Sequence, residues 1–163
     1  MVERVVPGPG QESVWDYPRP PRVEAVGVRV RAIVDGIAIA ATARALRVLE
    51  TAGAPVYYLP RTDVRMDLLK RTERGSTCEW KGEAVYFSIA VPGHEVRFGA
   101  WSYEAPKPGY EAITGHLAFY CWALDAAWVG DEQATPQPGR FYGGWVTSGV
   151  VGPFKGEPGT EGW

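Results

Sequence analysis

Apolar and polar positions alternate most clearly in RVEAVGVRVRAIVDGIAIAATARAL, where β-branched residues flank Arg29 and Arg31 and an Asp35-Gly36 pair breaks the run. A period of two interrupted by Asp-Gly predicts two antiparallel strands joined by a tight hairpin turn. ALRVLETAGAPVYYLPRTDV continues with two short strand segments, residues 45–50 and 56–59, divided by a Gly/Pro turn. Strand alternation puts Tyr57 and Tyr58 on opposite faces. After Pro60, TDVRMDLLK predicts one short helix, with Thr62 or Asp63 as N-cap and Val64, Leu68 and Leu69 on one face. CEWKGEAVYFSIAV reads as a strand that starts at Cys78 and bulges at Gly82. In it Val85, Phe87 and Ile89 face one way and Ala84, Tyr86 and Ser88 the other. Pro92-Gly93 turns the chain back into HEVRFGAWSY, and HLAFYCWAL with DAAWVGDEQA predicts a closing strand pair.

The ends of the chain differ in texture. Residues 1–22 are rich in Pro and Gly and read as an arm anchored by Val14, Trp15 and Tyr17, because burial stabilises large apolar groups. Residues 136–163 read as an extension wrapped over the domain, since Phe141, Tyr142, Trp145 and Phe154 would be poorly placed in water. That leaves residues 23–135 as the folded domain, and 163 residues suit one such unit. Seven Trp, with 20 Gly and 14 Pro in no repeating period, favour many short strands joined by turns. The expected class is all-β: antiparallel sheets with one short helix.

Charge narrows the partners. A formal charge of −2 argues against a basic nucleic-acid surface. The N-terminal stretch has no basic segment followed by an apolar one, and no segment approaches a membrane span. The expectation is a soluble cytoplasmic protein, monomer or homodimer, with neither nucleic acid nor membrane as partner. Cys78 and Cys121 form no CxxC pair and the two His are not clustered, so neither a metal site nor a cofactor is expected.

Four groups of side chains carry possible chemistry. Cys78 could act as a nucleophile if a cation such as Lys81 or Arg44 lowered its pKa, or it could simply fill space. Lys81, before Gly82, could offer a positive charge to a carboxylate or phosphate, or stand as a solvated edge-strand charge. Glu50 and Arg44, at opposite ends of one strand, could form a structural pair or supply a tuned acid-base group. Trp80, Trp101, Tyr103, Tyr58 and Tyr120 could converge as core or as the walls of an aromatic pocket.

The ordered motifs RPPRVE, ALRVLE, PVYYLPRTDV, CEWKGEAVYF, AWSYEAPKPGYEAITGHLAFY and FYGGWVTSGVVGPFKG, spread over residues 14–160, resemble the bacterial family called domain of unknown function 427. The resemblance implies a β-tent-like domain, the fold of methionine sulfoxide reductase B and of cereblon's thalidomide-binding domain. Where zinc-bearing β-tent proteins carry paired CxxC motifs this chain has Cys78-x-x-Lys81, which implies a metal-free version. A label sometimes attached to the family suggests nucleotidyl transfer, but that chemistry needs clustered carboxylates and a glycine-rich phosphate loop. Here Asp63 and Asp67 are the only closely spaced aspartates, and they suit the predicted helix. The expected function is therefore small-molecule binding, with Trp80, Trp101, Tyr58 and Tyr103 as aromatic walls and Lys81, Arg44 and Glu50 as polar contacts. The alternatives are an enzyme using Cys78 or Glu50, and an interaction module using the aromatic tail.

Overall fold

The Asp35-Gly36 hairpin forms as its sequence predicts. Both residues take left-handed backbone, at φ 50° and 74°, as this type of two-residue turn requires. They join Val30–Val34 to Ile37–Thr42. The computed structural model describes residues 2–163, so the first residue of the predicted arm lies outside the described residues.

The protein is all-β. One four-stranded antiparallel sheet runs in the order Glu132–Gln133, Ala126–Val129, Val30–Val34, Ile37–Thr42. A second runs Ala118–Phe119, His94–Ser102, Gly82–Val91, Leu69–Cys78. A third joins Arg22–Ala25, Leu46–Leu49 and Val56–Tyr58. Alternation along the strands separates the two larger of three apolar clusters. Val30, Ile39, Tyr57, Phe87, Ile89 and Phe119 share the main core, while Val48, Tyr58, Ala84, Trp101 and Tyr103 form a second, more aromatic cluster. Tyr57 and Tyr58 thus part as the period of two predicts, and both are buried.

Three predicted elements are corrected. The short helix after Pro60 is instead two 3-10 turns, Arg61–Asp63 and Met66–Leu68, and Leu69 already begins a strand. No side chain caps either turn; Asp63 accepts a hydrogen bond from the Thr42 hydroxyl at 2.7 Å. Next, Cys78 ends a strand and does not begin one. It pairs with Gly82 across a hairpin whose loop is Glu79-Trp80-Lys81, and Gly82, at φ 104°, serves that turn while the register shifts lie further along. Leu69–Cys78 is polar because it is an edge strand, where the neighbouring backbone supplies the ladder and charged side chains face water. Finally, Ala118–Phe119 and Ala126–Val129 do not pair with each other: the first borders His94–Ser102, the second Val30–Val34, and a 3-10 turn at Cys121–Ala123 separates them.

Both ends of the chain pack on this body. Glu12–Ser13 pairs in parallel with Val150–Val151, and Val14 and Tyr17 are buried against Leu49 and Val150. Trp145 is fully buried, so it cannot serve an interaction surface as the sequence allowed. Phe141, predicted to be covered, is 82% exposed. No helix among the described residues is long and apolar enough to cross a membrane.

Ion pairs tie the elements together and set an acid limit. Glu104 accepts from Arg71 at 2.7 Å and from Arg61 at 3.1 Å, and Arg47 donates to Glu12 at 3.0 Å. Burial opposes ionisation at Glu12 and Glu104, but Arg47 in one case and Arg71 with Arg61 in the other outweigh it. At Asp63 the Thr42 hydroxyl leads, followed by Arg44. All three carboxyls titrate below their ordinary values, so the stability they supply is present above the unfolded-state pKa and lost as pH falls through the depressed folded values. Thermal midpoints are expected to hold between about pH 7 and 5 and to fall from about pH 4.5 downward. Glu104→Gln should flatten part of that fall, and a wild-type midpoint unchanged at about pH 3 would refute the assignment.

Candidate functional site

A cavity of about 240 Å³ opens where the end of the Leu46–Leu49 strand, the Cys78–Gly82 hairpin and the C-terminal segment meet. Glu50, Tyr58 and Lys81 line it, together with Gln137, Tyr142 and Lys155. Lys81 reaches this position because the hairpin tip folds inward. Its carbonyl accepts a hydrogen bond from the Lys107 N–H at 2.9 Å, and Lys107 Nζ donates to the Glu79 carbonyl at 3.0 Å. Lys81 is only 9% exposed; its Nζ stands 5.7 Å from the centre of the Tyr103 ring. No carboxylate among the described residues lies within ion-pair distance of it, although eight other pairs form.

The C-terminal wall is held by Gln137, which is 3% exposed. Its Oε1 accepts from the Ala54 N–H at 2.9 Å and its Nε2 donates to the Lys155 carbonyl at 3.0 Å. Gly143 passes so close over the Trp101 indole that a Cβ there would overlap the ring. Only glycine permits that approach. Lys155 titrates below the ordinary lysine range, chiefly through burial and then through Arg19, with Glu50 acting against them.

The predicted site residues separate. Lys81, Glu50 and Tyr58 meet at the cavity. Trp101 and Tyr103 lie behind it. The Trp101 Nε1–H donates to the Tyr58 hydroxyl at 3.3 Å, and the Tyr58 and Tyr103 rings are 6.4 Å apart. Burial raises the pKa of both Tyr58 and Tyr103 well above the ordinary tyrosine value, so both stay neutral hydroxyls. Trp80 packs half-buried against the same aromatic cluster without reaching the cavity. Cys78, also half-buried there, is outside the cavity lining.

Arg44 is elsewhere. It is exposed and donates to Asp63 at 3.1 Å, while the nearest cation to Glu50 is Arg19 at 3.7 Å. The chain between them explains why: Arg44 and Glu50 flank the Leu46–Leu49 strand, and an extended stretch of that length puts them roughly 15–20 Å apart, beyond the reach of either side chain. Asp63 and Asp67 are also engaged, the latter with Arg65 at 2.7 Å. Among the described residues no three His, Cys, Asp or Glu side chains gather as a metal site would require.

A family model described as Domain of unknown function (DUF427) matches residues 22–130. The chain belongs to that family. None of the curated proteins compared with it matches. The match is narrower than the 14–160 span of the motifs, and it divides the cavity of this DUF427 chain: Glu50, Tyr58 and Lys81 fall inside it, whereas Gln137, Tyr142 and Lys155 fall beyond it. Sequence reasoning missed that second group. The available signals were a Gly143-Gly144 pair inside an aromatic run and a lysine in a chain that has only four.

Proposed function

We propose that this DUF427 protein binds a small organic anion in the cavity between Lys81 and Lys155. The observation that supports this reading is Lys81, a largely buried residue that lines the cavity and has no carboxylate within ion-pair distance among the described residues. A lysine at the wall of a partly enclosed cavity attracts an arriving carboxylate or phosphate more strongly than one in open water does. Tyr58 and Tyr142 add aromatic surface for the body of the ligand, and Glu50 would accept a hydrogen bond from a hydroxyl or amine on it. No cofactor enters this reading.

A thermal-shift titration with aromatic carboxylates such as 4-hydroxybenzoate, and with phosphate esters, tests it. At about a hundred times its Kd a true ligand adds roughly 2.7 kcal/mol of stability, which moves the midpoint by several degrees in a domain of this size. Lys81→Met is expected to abolish that shift while leaving the ligand-free protein within about 1 kcal/mol of wild type, because the aliphatic stem is kept and no ion pair is lost. A shift that survives in Lys81→Met, or no shift with any anion, would sink the proposal.

A further inference from the structure

Next to the Lys81 cavity, with which it shares Phe141, the sheet containing Leu69–Cys78, Gly82–Val91 and His94–Ser102 carries a groove of about 390 Å³ that is bordered by Arg74, Arg97 and Arg140. None of the three guanidinium groups takes part in an ion pair among the described residues; Glu95 and Asp125 border the neighbouring depression, outside ion-pair distance of them. Each is braced by an aromatic ring instead. Arg74 lies 4.7 Å from the centre of Phe98 and 5.4 Å from that of Tyr86, Arg97 5.2 Å from Phe98, and Arg140 4.1 Å from Trp122. Guanidinium planes laid on rings keep their N–H edges free to donate.

The aromatic side is equally organised. Trp122 stacks on Tyr120 at 5.1 Å and 23°, and next to Arg140 the Phe141 ring stands 82% exposed. Phe141 meets Tyr142 edge to face, at 5.2 Å and 89°. Phe98 is held at φ 57°, a conformation that bulky residues rarely adopt and that the surrounding structure must enforce.

Three converging cations repel one another and call for several negative charges; an exposed ring beside them calls for a planar partner. We infer that this groove binds a nucleoside phosphate unit, free or within a single strand, with the phosphates on Arg74 and Arg97 and the base stacked on Phe141 and the Arg140 plane. Guanidinium forks suit phosphate oxygens, and stacking on aromatic and arginine planes is how bases are held without reading their sequence. The net charge of −2, which argued against nucleic acid, averages over the whole chain and conceals this local cluster. The inference does not rest on the Lys81 cavity.

Quenching of tryptophan fluorescence at low salt, read with thymidine triphosphate, inorganic tripolyphosphate and an oligothymidylate of about twelve nucleotides, tests it. Saturable quenching by a thymidine probe is expected, with tripolyphosphate at least about tenfold weaker because it cannot stack. Tighter binding of the oligomer than of the triphosphate assigns the strand as source, and the reverse assigns the free nucleotide. R74A/R97A, checked for folding by its thermal midpoint, should weaken binding at least about tenfold, whereas K81M should leave it unchanged. If the double variant does not fold, R140K, which keeps the charge but loses the planar stack, should still weaken binding several-fold. No saturable quenching by either thymidine probe, equal affinity for tripolyphosphate, or wild-type affinity in the folded arginine variants would overturn the inference.

Discussion

Trp145→Ala is expected to destabilise the protein by about 3–5 kcal/mol, the range for deleting a fully buried large aromatic side chain. Trp145 has no exposed surface. Its ring lies 5.1 Å from that of Tyr57, its Nε1–H donates to the Phe119 carbonyl at 2.9 Å, and its backbone N–H donates to the Pro55 carbonyl at 2.9 Å. Alanine would leave a cavity in the main core and an unpaired carbonyl at Phe119, and the two costs add. Urea unfolding should show a lower midpoint with an unchanged slope. Trp145→Phe, which refills most of the volume without the N–H, should recover more than half of the loss. A loss below about 1 kcal/mol in Trp145→Ala would mean that the C-terminal segment is not part of the core.

Gly156→Ala comes next, at about 3 kcal/mol. Gly156 sits at φ 99°, and a Cβ there would lie on the Pro138 carbonyl. Strained backbone costs about 1–3 kcal/mol and overpacking a similar amount; the obstacle is backbone, so no side chain can rotate out of the way. Gly159→Ala is the matched control. It has similar backbone, φ 85°, but open space around the Cβ position, so only the conformational cost applies, about 1–2 kcal/mol. A Gly156→Ala midpoint several degrees below that of Gly159→Ala is the expected result. The backbone shift should also move the adjacent Lys155 and weaken any anion-induced stabilisation. Equal midpoints in the two variants would contradict the close approach of residues 138 and 156.

The difference between what was legible and what was not follows from how each feature is encoded. The Asp35-Gly36 hairpin, the parting of Tyr57 from Tyr58, and the two faces of Gly82–Val91 are local, and a period of two reports them directly. Leu69–Cys78 escaped because its strand character comes from a neighbour's backbone and not from its own side chains. The apolar spacing of Val64, Leu68 and Leu69 mimicked a helix; in the fold these residues pack on the core from turns and a strand start. At the cavity, Lys81 and Tyr58, both in motifs that resemble the family's, line one wall. Arg44 pairs with Asp63 and not with Glu50 because the Leu46–Leu49 strand holds the two apart, a separation that charge complementarity alone does not reveal.

By itself, then, the sequence determined the all-β class, the Asp35-Gly36 hairpin and the family, because each is written in residues close together along the chain. Only the tertiary structure decided which charges meet. Lys81 and Lys155 line one cavity, Gln137 is hydrogen-bonded to Ala54 across 83 positions, and Arg74, Arg97 and Arg140 gather on one groove. Such encounters depend on how sheets stack and on where the tail crosses them, and no local pattern carries that information.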